Sequence, residues 1–109
     1  MLKITIRNGT KPTKLMLEGK LRGPWVTELE KEWSRLSSEH GSRNLVTDLS
    51  DVTFIDADGR DLLTRMLEQG TELQAFDLLS RFVIDEIKLG LQQKKEEGEH
   101  AHANRIGKE

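Results

Sequence analysis

Leu49-Ser-Asp-Val-Thr-Phe-Ile-Asp-Ala-Asp-Gly-Arg-Asp-Leu-Leu63 is the stretch whose reading decides the fold. Apolar residues lead into an acidic turn around Gly59. An amphipathic helix follows at once, with Leu62, Leu63, Met66 and Leu67 on one face. A helix launched from the end of a strand presents its first backbone N–H groups there. Asp58 is placed to cap this helix, with Asp61 three residues on in the capping-box position, and both acids favour the positive helix end. Gly70 closes it.

Upstream, Leu2, Ile4 and Ile6 alternate with Lys3, Thr5 and Arg7, the period-two pattern of a half-buried strand. After the Asn8-Gly9 turn, Leu15 and Leu17 resume the alternation, which predicts an antiparallel hairpin. Gly23-Pro24 opens a helix, because proline has no N–H to waste at the first helical position. Its apolar stripe is Val26, Leu29, Trp33 and Leu36, and His40-Gly41 ends it. Trp33 belongs to the core; Trp25, on the first turn, either packs under the loops or protrudes as an interface anchor, with packing favoured. Leu45-Val46-Thr47-Asp48-Leu49 reads as a buried, parallel strand.

Downstream, Glu72 to Phe76 forms a further strand. Asp77 caps a third helix, buried through Leu78, Leu79, Phe82, Val83 and Ile87. The order ββαβαβα predicts an α/β fold: a mixed sheet of about four strands packed against helices, with right-handed crossovers. One domain is expected over residues 1–89, and residues 90–109 read as a polar, flexible tail.

A chain of 109 residues, 35% hydrophobic and 33% charged, suits one soluble domain with a charged surface. Its formal net charge of −2 gives no drive towards nucleic acid or acidic membranes, and no cationic run exceeds Lys94-Lys95. With no cysteine, disulfides, thiol catalysis and Cys-ligated zinc are excluded together. No apolar run approaches a membrane span, so a cytoplasmic protein is expected.

Asp48, Asp51, Asp56, Asp58 and Asp61 lie within 14 residues and are opposed only by Arg60. They suit either a divalent-metal site or separate local roles, of which capping is favoured. A calcium loop fails on its own terms. Gly59 at its sixth position puts Phe54 first and Arg65 twelfth, and neither supplies an oxygen. His100 and His102 lie in the tail, away from any carboxylate shell, and no nucleophile pattern or phosphate-cradling glycine loop is present. Neither an enzyme nor a resident cofactor or metal is expected.

The string Asp48-Leu49-Ser50-x-Val52-x-Phe54-Ile55-Asp56-x-x-Gly59 resembles the core motif of STAS domains, the class of bacterial anti-sigma factor antagonists. The opening strands and the first helix, flanked by Gly19 and Gly23, follow that family's order, and the resemblance covers most of the chain to about Ile87. It implies a partner-switching module. The turn and helix start would dock an anti-sigma factor or related serine kinase of the histidine-kinase-like ATPase type. The contact residues so implied are Asp56, Ala57, Asp58, Gly59, Arg60, Leu63 and Thr64.

In typical members a serine after the motif's aspartate is phosphorylated, and the added charge expels the partner. Here that position is Ala57, and Asp58 occupies the family's second serine position, so no phosphorylated residue is expected. Three consequences stay open: constitutive binding, partial mimicry of the modified form by Asp58, or a switch elsewhere. Ser50, Thr53 and Thr64 keep hydroxyls but do not match the motif position. Many members also continue with another strand and helix, so the fold reads as C-terminally shortened, leaving a sheet edge or helix face open. The other functions considered are an accessory subunit of a transporter or stress-sensing assembly, and a sensor of a nucleotide or other small ligand. For the sensor, the local acids would oppose a phosphate.

Overall fold

Alternation of apolar and polar residues builds the hairpin that starts the fold. In the computed structural model, which describes residues 1–9, 11–78 and 80–92, β1 (Leu2–Arg7) and β2 (Thr13–Leu21) pair antiparallel with Ile4 opposite Leu17. The other edge of β2 takes β3 (Leu45–Ile55) in parallel, and β3 takes β4 (Glu72–Gln74) in parallel. The sheet order is therefore β1-β2-β3-β4. Parallel neighbours need crossovers, which α1 (Pro24–His40) and α2 (Ala57–Glu68) supply. A 3-10 turn at Ser42–Asn44 leads into β3, and residues 78 and 80–92 are helical and form α3.

The apolar stripes then decide where the core sits. Leu2, Leu15, Leu17, Leu21, Leu45 and Leu49 from the sheet meet the α1 stripe of Val26, Leu29, Trp33 and Leu36. Leu62, Leu63 and Met66 of α2 join the same cluster, as do Ile84 and Ile87 of α3. All three helices therefore cover one face, while residues of opposite parity, such as the Lys14–Asp48 pair at 3.7 Å, belong to the other face. Trp25 packs partly buried against the cluster. The buried Trp33 indole N–H donates to Thr71 Oγ1 at 2.9 Å, and the Thr71 hydroxyl donates to the Ser42 carbonyl at 2.8 Å. Those bonds satisfy polar groups that burial would otherwise penalise.

Three sequence expectations need correction. First, β3 runs on from the expected Leu45–Leu49 to Ile55, so Asp51 lies in the strand beside Asp48 and not in a turn. Val52-Thr53-Phe54-Ile55 are strand formers, and Val52, Phe54 and Ile55 pair with β2 around two register shifts near Gly19. Gly19 sits at φ +108°, and a Cβ there would lie 2.3 Å from the Met1 carbonyl oxygen. Second, β4 stops at Gln74, and the Phe76 N–H leaves the ladder to donate to Ser50 Oγ at 3.0 Å.

Third, α3 buries only part of the expected face: Ile87 is buried and Val83 packs partly buried against the core, but Leu78 and Phe82 do not. Leu78 is 83% exposed and Phe82 60% exposed, whereas Ser80, Ile84 and Ile87 are buried. Positions 80, 84, 87 and 91 form an i, i+4, i+7, i+11 stripe, which places Leu78 and Phe82 away from the core. The side chain of Leu79 lies outside the described residues. Leu91 packs partly buried against the core, and the rest of the expected tail, residues 93–109 with His100 and His102, lies outside the described residues.

Candidate functional site

The β3–α2 junction is organised by one carboxylate. Asp56 has extended backbone and caps α2, its Oδ1 accepting from the Gly59 N–H at 2.7 Å. Its Oδ2 accepts from the Gly23 N–H at 3.0 Å, at the start of α1. The Asp56 N–H donates to the Leu21 carbonyl at 3.0 Å, at the end of β2. One residue thus ties β2, α1 and α2 together. The cap is Asp56 and not Asp58, because α2 begins at Ala57 and Asp58 already lies within its first turn. Hydrogen bonds from Gly23 and then Gly59 hold the Asp56 carboxyl below the usual carboxylate range, with the Arg22 charge adding to the effect.

Gly59 is buried in that first turn, and its role is close approach. A Cβ there would lie 2.8 Å from the Leu21 carbonyl oxygen and 2.9 Å from Leu21 Cγ. Leu63 is 0% exposed and belongs to the core, so neither Gly59 nor Leu63 presents a side chain to a partner. Ala57, Asp58, Arg60 and Asp61 are exposed, and Asp56 and Thr64 are half-buried. Arg60 reaches across to Glu86 of α3 at 3.3 Å. The hydroxyls near the junction are engaged within the protein. Thr53 Oγ1 donates to the Gly19 carbonyl at 3.2 Å, Thr64 Oγ1 donates to the Arg60 carbonyl at 2.8 Å, and Ser50 Oγ accepts from Phe76.

The β4–α3 junction uses similar chemistry. Asp77 Oδ2 accepts from the Ser80 N–H at 2.9 Å, and that bond lowers the Asp77 pKa. The Ser80 hydroxyl donates to the Leu49 carbonyl at 3.0 Å, fastening α3 to β3. Between them lies a groove of about 590 Å³, bounded by residues 50–55 of β3 and by Asp77, Ser80 and Val83. The groove has no local signature in the sequence, since its walls come from segments about 30 residues apart. Among the described residues, no group of three or more His, Asp or Glu is placed to hold a metal ion. The five aspartates are dispersed: Asp48 pairs with Lys14, Asp51 lies on β3, Asp56 caps α2, and Asp58 and Asp61 face solvent. No helix among those residues is long and apolar enough to cross a membrane.

No family model matches the sequence, and no curated protein matches it. Solved structures do. An anti-sigma factor antagonist from Mycobacterium paratuberculosis superposes with a TM-score of 0.69 at 19% identity, over 86% of this chain and 82% of that one. The chain has the STAS-like fold of anti-sigma factor antagonists. The antagonist SpoIIAA in its unphosphorylated form matches this STAS-like chain with a TM-score of 0.56 at 14% identity, over 79% of it and 98% of SpoIIAA. A third structure, of Mglu, matches at 23% identity and a TM-score of 0.53 over 68% of this chain but only 19% of its own.

Proposed function

We propose that this STAS-like chain is a non-enzymatic protein-interaction module that docks a regulatory partner on the rim of the β3–α2 junction, without serine phosphorylation. The observation that carries this reading is the double anchoring of Asp56 to Gly23 and Gly59. It fixes the first turn of α2 against β2, so Ala57, Asp58 and Arg60 stand out on a preorganised surface, with Asp56 and Thr64 at its margin. Preorganisation lowers the ordering cost of binding. Gly59 and Leu63 support that surface from beneath.

The partner class comes from the likeness to anti-sigma factor antagonists: an anti-sigma factor or related serine kinase of the histidine-kinase-like ATPase type, in a cytoplasmic setting. Ala57 has no hydroxyl to receive phosphate. Asp58 instead places a permanent negative charge on the exposed rim. The test is affinity capture with the full chain and with Asp58→Lys, followed by mass spectrometry of both bait and prey. The expected outcome is one prey protein retained by the wild-type chain and lost by the variant, with no phosphate on residues 56–60. Equal capture by both baits would remove this rim from the binding surface.

A further inference from the structure

Six consecutive residues, Ser50 to Ile55, line the groove between β3 and α3. Side chains of a strand point alternately to opposite faces, so a wall built from every residue in a row is the strand's edge. The register agrees. β2 pairs with β3 as far as Ile55, but β4 pairs only with Val46 to Asp48, so among the described residues no strand covers that side from Leu49 onward. Leu49 and Ser50 are instead met by Ser80 and Phe76 at the groove's start. Past them the lining is mainly apolar, through Val52, Phe54, Ile55 and Val83. It contains two acids, Asp51 and Asp77, and no lysine or arginine.

We propose that this groove accepts an extended segment of a partner protein, added as a further strand to the open edge of β3, with apolar side chains on Val52, Ile55 and Val83 and a lysine or arginine beside Asp51 and Asp77. Main-chain hydrogen bonds supply affinity in strand addition, and the alternating side chains supply specificity. Charge selects the occupant. A second copy would bring the same edge, Ser50 to Ile55, which carries Asp51 and no base. Residues 93–109 offer Ile106 as their one large apolar side chain. The groove adjoins the rim at residues 56–60 through Ile55, so the inference rests on the docking reading for its biological role, though not for its geometry.

The test is an amide-resolved NMR titration of the full chain with two synthetic eight-residue peptides, one alternating valine with lysine and one alternating valine with glutamate. The basic peptide is expected to shift the signals of residues 50–55 and 80–83. At low salt it should bind about tenfold more tightly than the acidic one, a preference that added salt erodes. Asp51→Lys, on an exposed strand position, and Val83→Asp, on the opposite wall, should each weaken the basic peptide several-fold while the rest of the spectrum stays native. Equal binding of both peptides, shifts elsewhere, or no binding at millimolar peptide would overturn the proposal. So would dimerisation through residues 50–55 of the protein alone, or groove signals that move when residues 93–109 are removed. The titration needs no native partner, so its failure and the failure of the Asp58→Lys capture are separate results.

Discussion

At the β3–α2 junction Asp56 caps α2 by accepting from the N–H three residues on, and at the β4–α3 junction Asp77 caps α3 in the same way. Their surroundings differ. The second oxygen of Asp56 reaches Gly23 at the start of another helix, whereas Asp77 Oδ1 is buried with no hydrogen-bond partner among the described residues. Leu62, Leu63 and Met66 of α2 are fully buried, whereas Leu78, Phe82 and Leu89 of α3 face solvent. A shared local signal therefore produces a locked helix start in one place and a helix with apolar residues on both faces in the other. Tertiary anchoring, not the cap alone, decides how rigidly a helix is presented.

The comparison breaks most readily in the core. Leu63→Ala should cost about 2–5 kcal/mol in urea unfolding, while Phe82→Ala should stay within about 0.5 kcal/mol. Similar losses would mean that both helices are equally embedded. Next comes Gly59→Ala, which should lose about 1–3 kcal/mol through overpacking against Leu21. Helix propensity alone predicts a gain of about 1 kcal/mol from the same change, so the sign decides. A gain would show that the close approach relaxes without strain.

A smaller effect separates the caps. Asp56→Ala should lower the melting temperature more than Asp77→Ala, because it removes bonds to two helices and not one. Equal shifts would contradict the double anchor. Both carboxyls have folded pKa values below their ordinary ones, so the stability they confer is present above the unfolded value, near pH 3.9. It is lost as pH falls through the lower folded values. Asp56→Asn should therefore flatten the melting-temperature profile below about pH 4, and an unchanged profile would remove Asp56 from the acid response. A small effect is also expected for Glu86→Ala, at or below about 1 kcal/mol, because the Arg60–Glu86 pair is largely exposed.

Much of the fold was legible because period-two and helical patterns are strong in β1, α1 and α2, and all four α1 stripe residues are buried as expected. Leu78 and Phe82 depart from the expected burial because the third helix carries apolar residues on two faces, and only packing against β3 through Ser80 chooses between them. At the site, the motif located the junction but not its mechanics. Asp56 standing just before the helix-favouring Ala57 was a usable sign of the cap. Its bond to Gly23, 33 residues away, and the approach of Gly59 to Leu21 are tertiary facts with no local signature.

The central claim is that the rim held out by Asp56 is the surface a partner grips. Calorimetric titration of the captured partner into the full chain and into Asp58→Lys tests it most directly. The account predicts an affinity at least about tenfold weaker for the variant, with its melting temperature nearly unchanged. The same affinity for both proteins would contradict it.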